Sequence, residues 1–236
     1  MDVQTSVGRV PLTGKLSDDR SRPVLLVIRG IFHGDTYGHW LIAEFAGRAD
    51  VLLAHVPGMN SPTLAASDLA TMGQAFREVV EGELADRDVI VFGMSTGSLI
   101  ALAMGRLPQV RRMVLLDPYL NVADCWALRE LIGVRAKPGT VLRAWFEAML
   151  GQGLNGDFRE LIGNRAPRTY VLVGEEPLEP MRSVNKIPSL ASAEERALWA
   201  AAPGVELIVC AGAGHDIPRE ALRDMLATLD KALAAG

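Results

Sequence analysis

Six short apolar runs recur along the chain, and segments with helical spacing separate most of them. The first run, Val24-Leu-Leu-Val-Ile28, is rich in β-branched residues and is followed closely by Gly30. A continuous apolar run of this length is typical of a strand that is buried on both faces of a parallel sheet. The other runs share this character and are Val51–Ala54, Val89–Phe92, Met113–Leu116, Tyr170–Val173 and Leu207–Cys210.

Helical patterns complete an alternation of strands and helices. Apolar residues recur with helical spacing over residues 64–80, 98–106, 193–201 and 219–233. The alternation predicts an α/β fold, with a mostly parallel central sheet and helices on both faces. The segment Val7–Leu16 carries Pro11 and Gly14 among alternating residues, which predicts an edge hairpin in front of this sheet.

One long interval interrupts the alternation between Asp117 and Pro167. It spans about fifty residues, whereas connections in α/β units usually span only about 2–6. Four aromatic residues lie within it, namely Trp126, Trp145, Phe146 and Phe158. We therefore expect a small helical cap at about residues 118–167, inserted into a single domain that spans residues 1–236.

The composition favours a protein that acts on small molecules over one that binds nucleic acid or a membrane. Hydrophobic residues make up 49% and charged residues 22% of the 236 residues, which suffices for one large core. The formal net charge is −4, and no long Lys/Arg run offers a surface for nucleic acid or anionic lipid. We expect neither nucleic acid nor a membrane as a partner.

The cysteines and the N-terminus suggest where the protein resides. Cys125 and Cys210 lie far apart and fit neither a C-x-x-C motif nor a metal-ligand spacing, so we expect no disulfide framework and no metal site. The first residues lack the basic and apolar regions of a signal peptide, and no uncharged apolar run has transmembrane length. These features predict a cytoplasmic protein.

The residues Gly93-Met-Ser95-Thr-Gly97 form a G-x-S-x-G motif between a predicted strand and a predicted helix. The glycines allow a turn that is too sharp for side chains beside the serine. Ser95 would then project from the strand end at the N-terminus of the helix, whose dipole favours developing negative charge. The alternative is a tight turn in a nucleotide-binding fold, but no G-x-G-x-x-G or lysine-bearing phosphate loop lies nearby.

From about Pro23 to the C-terminus, the chain resembles the α/β-hydrolase fold superfamily. The G-x-S-x-G motif matches that family's nucleophile elbow, with Ser95 as the nucleophile. Arg29-Gly30-Ile31 resembles its H-G-x oxyanion loop, with Arg29 in place of the usual histidine, and 55–61 resembles its D-x-P-G-x-G-x-S segment, with His55 in place of the acid. The resemblance implies a serine hydrolase that requires neither a metal nor an organic cofactor.

A serine hydroxyl becomes an effective nucleophile when a base removes its proton, and imidazole suits this role near neutral pH. His215 lies between the last predicted strand and the last predicted helix. The resembled family carries its catalytic base in that loop. We therefore predict that His215 activates Ser95.

The third member of the triad should be a carboxylate that orients the imidazole. The resembled family usually places it after the penultimate strand, at a position that Pro177 occupies here, so Glu176 is one residue short. Some members instead use the end of the preceding strand, which corresponds to Asp117. The commoner placement favours Glu176, and Asp117 is the alternative acid.

The resemblance also implies where the substrate binds. The backbone N–H groups of Ile31 and Thr96 would form the oxyanion hole. Arg29, Gly30 and Met94 would lie next to the substrate, and Arg29 would bind a carboxylate or phosphate group unless it is an ordinary surface or salt-bridged arginine. The expected partner is a small-molecule acyl ester or thioester, either free or bound to a carrier.

Three functions fit these predictions. The first is hydrolysis of a carboxylic ester or thioester through an acyl-serine intermediate. The second is transfer of the acyl group to another acceptor by the same serine and histidine. The third is a catalytically silent binding protein with this fold, which the substitution at Arg29 and the irregular acid position would fit. The motif and its context favour the first.

Overall fold

The computed structural model describes residues 1–31, 35–59, 61–175 and 187–235. Within these ranges, eight strands form one sheet. The strands are β1 (Asp2–Thr5), β2 (Gly8–Thr13), β3 (Val24–Ile28), β4 (Asp50–Ala54), β5 (Val89–Met94), β6 (Val110–Leu116), β7 (Arg168–Gly174) and β8 (Val205–Cys210). Their order in the sheet is β1-β2-β4-β3-β5-β6-β7-β8, and β3 to β8 pair in parallel. This topology confirms the predicted α/β fold and its mostly parallel sheet.

The N-terminal hairpin lies at the edge of the sheet, as the sequence predicts, but it begins earlier than residue 7. Strands β1 and β2 pair antiparallel, and β2 pairs antiparallel with β4. Val3 and Val10 face each other in this register and are buried, whereas their neighbours along β1 are exposed. One apolar face therefore holds the hairpin against the rest of the domain.

The helices of the described residues lie mostly where the sequence pattern places them. They are α1 (Asp35–Glu44), α2 (Leu69–Gly82), α3 (Thr96–Ala103), α4 (Trp126–Arg135), α5 (Val141–Leu150), α6 (Ala193–Ala201), α7 (Ile217–Glu220) and α8 (Leu222–Ala234). Helix α2 begins later than the pattern predicts because the carboxylate of Asp68 caps it by accepting a hydrogen bond from Thr71 N (2.8 Å). The C-terminal helix is split at Ala221, whose backbone is not helical.

Two hydrophobic cores lie on opposite sides of the sheet. On one side, Leu26 and Ile28 of β3 pack in a cluster with residues of α2, α3, α4 and α5. On the other side, the alternate residues Leu25 and Val27 pack in a cluster with residues of α1 and α8. Successive side chains of a strand point to opposite faces of the sheet. Because helices cover both faces, every position of β3, β4 and β5 is buried, which explains the uninterrupted apolar runs of the sequence.

The long interval between β6 and β7 contains α4, α5 and three short 3-10 helices at Val122–Asp124, Gln152–Leu154 and Arg159–Asn164. Its first residues are anchored by Glu195 of α6, a buried carboxylate that accepts hydrogen bonds from Leu120 N (2.5 Å) and Asn121 N (2.7 Å). Burial raises the pKa of Glu195, while these backbone donors favour its charged form. The interval is thus tied to α6, which packs on the same side of the sheet as α4 and α5.

Two further features bear on the sequence-based expectations. Both cysteines are free and buried, and burial raises the pKa of the Cys210 thiol to about 12. None of the helices in the described ranges combines the length and apolar character that crossing a membrane requires.

Candidate active site

Ser95 lies in a strained turn between β5 and α3. Its backbone has φ 54° and ψ −124°, in a region that non-glycine residues rarely adopt. The flanking glycines leave no room for a side chain: a Cβ on Gly93 would lie 2.8 Å from Ser98 Cα, and one on Gly97 would lie 2.1 Å from the carbonyl oxygen of Ile28. The two glycines therefore permit the turn that presents the Ser95 hydroxyl at the carboxyl end of the sheet.

The Ser95 hydroxyl forms one end of a three-residue hydrogen-bond chain. Ser95 Oγ lies 3.0 Å from His215 Nε2, and His215 Nδ1 lies 2.7 Å from Asp117 Oδ2. The side chain of Asp117 is fully buried, and that of His215 is 11% exposed. A hydroxyl, an imidazole and a carboxylate in this order are what base-assisted nucleophilic catalysis requires.

The buried carboxylate of Asp117 is held by several donors besides the imidazole. Oδ1 accepts hydrogen bonds from Ser189 Oγ (2.5 Å) and Gly174 N (3.3 Å), and Oδ2 accepts one from Leu190 N (2.7 Å). The backbone of Asp117 has φ 41°, so it is one of three non-glycine residues in the described ranges with positive φ. A buried carboxylate needs such partners, and they fix its orientation toward His215.

Of the two candidate acids, Asp117 and Glu176, the structure describes only Asp117. The alternative acid, Asp117, carries the hydrogen bond to His215, and Glu176 lies outside the described residues. Sequence reasoning missed Ser189 and Leu190, since Ile187-Pro-Ser-Leu190 matches no motif. Arg196 of α6 supports this group, because its guanidinium donates to Ser189 Oγ (2.8 Å) and to the carbonyl of Gly174 (2.6 Å).

The predicted oxyanion donors occupy neighbouring segments. Thr96 is the first residue of α3 and is buried, and its hydroxyl lies 2.6 Å from the hydroxyl of Tyr119. Burial raises the pKa of Tyr119, which keeps it a neutral phenol. Ile31 is half-buried and follows β3, and the close approach of Gly97 to the carbonyls of Ile28 and Arg29 puts this loop against the start of α3.

A cavity of about 200 Å³ opens beside Ser95. Its described lining consists of Ser95, Thr96, Leu128, Leu131, Arg135, Ile187, Leu190, His215 and Asp216. Three of these residues belong to α4, so the interval between β6 and β7 forms one wall of the cavity. Arg29, Gly30 and Met94 are buried and are not among the described lining residues, so their role in substrate binding stays a prediction.

The site shows no sign of metal ligation in the part of the chain that the structure describes. Within those ranges, no three His, Cys, Asp or Glu side chains are grouped so as to hold a metal ion. Among the described residues, the imidazole of His215 lies within hydrogen-bond distance of Ser95 Oγ and can accept its proton.

Comparison with known proteins bears on the fold and the family. No curated protein matches the sequence. Among solved structures, a thermophilic esterase from Thermogutta terrifontis shares 16% identity over 100% of this chain and 98% of its own, with a TM-score of 0.67. The carboxylesterase CesB from Bacillus subtilis shares 16% identity over 100% of this chain and 91% of its own, with a TM-score of 0.70.

A third similar structure is the naproxen esterase of Bacillus subtilis, at 16% identity over 98% of this chain and 90% of its own, with a TM-score of 0.69. At this identity the likeness establishes the fold. The profile of the alpha/beta hydrolase family matches residues 25–235, which is most of the chain. The match includes Ser95, Asp117 and His215. The chain belongs to the alpha/beta hydrolase family.

Proposed function

We propose that the protein is a serine hydrolase that cleaves a carboxylic ester or thioester through an acyl-serine intermediate. The observation that carries this proposal is the hydrogen-bond chain from Ser95 Oγ through the two ring nitrogens of His215 to the Asp117 carboxylate. Ser95 is the nucleophile, His215 the base and Asp117 the acid. The esterases with similar structures support a hydrolytic activity of this class.

In the first half-reaction, Ser95 Oγ attacks the acyl carbonyl carbon while His215 Nε2 accepts the hydroxyl proton. The carbonyl oxygen becomes an oxyanion, which accepts hydrogen bonds from the N–H groups of Ile31 and Thr96. The C–O or C–S bond then breaks, and the imidazolium donates its proton to the departing alcohol or thiol. The acyl group remains on Ser95.

In the second half-reaction, water attacks the acyl-serine while His215 Nε2 accepts one of its protons. The tetrahedral species collapses, the carboxylic acid leaves, and the proton returns to Ser95 Oγ. Asp117 keeps the Nδ1–H of the imidazole turned toward itself, so that Nε2 presents its lone pair to the hydroxyl or the water. It also stabilises the imidazolium that forms in each half-reaction.

A fluorophosphonate probe tests whether Ser95 is an activated nucleophile. We expect the wild-type protein to be labelled at Ser95 and the Ser95→Ala protein to remain unlabelled, with the modified peptide identified by mass spectrometry. The His215→Ala protein should be labelled at least about a hundredfold more slowly, because general-base assistance is worth about 10²–10⁴-fold.

Ser98→Ala is the matched control for this experiment. Ser98 lies one helical turn from the nucleophile, and its hydroxyl is buried without a hydrogen-bond partner in the described structure. Its removal should leave the labelling rate unchanged. A wild-type protein that does not react, or a Ser95→Ala protein that still does, would contradict the proposed function.

The cavity beside Ser95 predicts a preference for short apolar acyl groups. Its volume of about 200 Å³ is below the roughly 300–1,000 Å³ of sites that enclose drug-sized ligands. Leucine and isoleucine side chains supply much of its wall. We therefore expect kcat/KM for p-nitrophenyl butyrate to exceed that for p-nitrophenyl octanoate.

Leu131→Ala should enlarge this cavity and raise the octanoate-to-butyrate ratio of kcat/KM about tenfold, the scale on which hydrophobic pockets discriminate methylene groups. Leu142→Ala is the control, since Leu142 is a half-buried leucine of α5 that does not line the cavity. A ratio that changes equally in both variants would show that the cavity does not hold the acyl chain.

A further inference from the structure

A second and larger cavity lies at the amino ends of the central strands, whereas Ser95 lies at their carboxyl ends. It has a volume of about 660 Å³, and its walls include residues at the starts of β5, β6 and β7. Ser95 follows the carboxyl end of β5, which runs from Val89 to Met94. At about 3.3 Å per residue, this strand places roughly 17 Å between the cavity and Ser95. The cavity is therefore remote from the proposed catalytic machinery.

Five arginines and two aspartates line this cavity, and their charges do not balance. Three of the arginines have acidic partners. These pairs are Arg20 with Asp86 (3.0 Å), Arg87 with Asp50 (2.6 Å), and Arg112 with Asp88. Both aspartates of the lining are thus already engaged, which leaves Arg111 and Arg168.

Arg111 and Arg168 are exposed, and within the described ranges neither has an acidic side chain at salt-bridge distance. Arg168 lies directly beside Arg112 in the register of β6 and β7. Neighbouring residues in register point to the same face of a sheet, so these two like charges repel each other. The cavity therefore carries two positive charges that the described side chains do not neutralise, although the whole chain has a net charge of −4.

Buried polar atoms of the same lining also lack partners. Arg87 and Arg112 are each 3% exposed, yet the Nε atoms of both are buried without a hydrogen bond in the described structure. The acceptors Gln109 Oε1 and Asp88 Oδ1 are likewise buried without one. These atoms lie below the accessible surface, so they make the base of the cavity polar but do not themselves contact a ligand in it.

We propose that this cavity binds the phosphate group of a small phosphate monoester, with Arg111 and Arg168 as its principal ligands. A phosphate monoester carries a charge near −2 at neutral pH, which matches the two uncompensated guanidinium groups. Arginine binds phosphate oxygens through paired, charge-assisted hydrogen bonds. The cavity volume of about 660 Å³ lies within the range of small-molecule sites, so it has room for the organic part of the ester.

Isothermal titration calorimetry of the full-length protein tests this proposal, in a phosphate-free buffer of constant ionic strength. The probes are glycerol 3-phosphate, inorganic phosphate and glycerol. We expect saturable binding of glycerol 3-phosphate at one site per chain, weaker binding of inorganic phosphate, and no binding of glycerol. The Arg111→Gln/Arg168→Gln protein should bind glycerol 3-phosphate at least tenfold more weakly.

The control protein carries Lys137→Gln and Arg223→Gln, which remove two exposed positive charges outside the cavity. Its affinity should change less than twofold. Binding should also be unaffected in the Ser95→Ala protein, which separates this proposal from the proposed hydrolase activity. Absence of saturable binding, equal weakening in both double variants, or binding of inorganic phosphate without the ester would overturn the proposal.

Thermal unfolding in phosphate-free buffer provides a second measurement. Arg168→Gln removes the like-charge neighbour of Arg112, so we expect its midpoint to equal or exceed that of the wild type. Added glycerol 3-phosphate should raise the wild-type midpoint and leave that of Arg168→Gln almost unchanged. Equal ligand-induced shifts in the two proteins would likewise overturn the assignment.

Discussion

Asp117→Asn is expected to lower kcat for p-nitrophenyl butyrate by about 10⁴-fold, the scale of the corresponding change in serine proteases. The asparagine amide would occupy nearly the same space, but it can donate a hydrogen bond to His215 Nδ1. That bond favours the tautomer in which Nε2 carries the proton, and Nε2 then cannot accept the proton of Ser95. Steady-state kinetics would measure the loss, and thermal unfolding would show that the protein still folds.

Glu176→Gln is the matched control because it makes the same chemical change at the other candidate acid. Its kcat should stay within about twofold of the wild-type value, since His215 Nδ1 already has the Asp117 carboxylate as its partner. If Glu176→Gln caused the large loss and Asp117→Asn did not, the hydrogen bond between Asp117 and His215 would have no catalytic role.

Gly97→Ala should destabilise the fold by about 3 kcal/mol or more, at the upper end of the cost of overpacking. The added methyl group would lie 2.1 Å from the carbonyl oxygen of Ile28 and 2.8 Å from that of Arg29. Both obstacles are backbone atoms at the end of β3, so they cannot rotate away as a flexible side chain could. Urea unfolding followed by circular dichroism would measure the change in the free energy of unfolding.

Gly82→Ala serves as its control. Gly82 is the last residue of α2, and a Cβ there would meet no atom within 4 Å. Alanine at this position should leave stability unchanged or raise it by up to about 1 kcal/mol, because it limits the freedom of the unfolded chain. A Gly97→Ala protein with the urea midpoint of Gly82→Ala would show that the loop after β3 moves away easily.

The sheet could be predicted from the sequence because a strand that is buried on both faces is encoded by a short, uninterrupted apolar run. Residues 24–28 form the strand that the apolar run predicts, and the run 89–92 extends by only two residues to Met94. Helix ends were harder to predict. The helix predicted from residue 64 begins at Leu69, because the position of the Asp68 cap outweighs the apolar spacing before it.

The acidic member of the proposed triad could not be identified from the sequence alone. Ser95 and His215 could be singled out from their immediate neighbours in the chain, and the structure brings these two side chains together. The choice between Asp117 and Glu176 depends instead on the order of strands and on a turn with positive φ at Asp117, and neither is written in the local sequence. The donors from Ser189 and Leu190 are equally non-local, since they lie more than 70 positions from Asp117.

The three residues of the hydrogen-bond chain, Ser95, Asp117 and His215, lie far apart in the sequence, and this affects when they can all be present during synthesis. His215 lies 120 positions after Ser95 and 98 after Asp117, on a loop just before the C-terminal helices. A ribosome-bound nascent chain therefore holds the hydroxyl and the carboxylate long before the imidazole emerges. Under the proposed function, turnover requires this imidazole, so esterase activity would report the completion of folding rather than its onset.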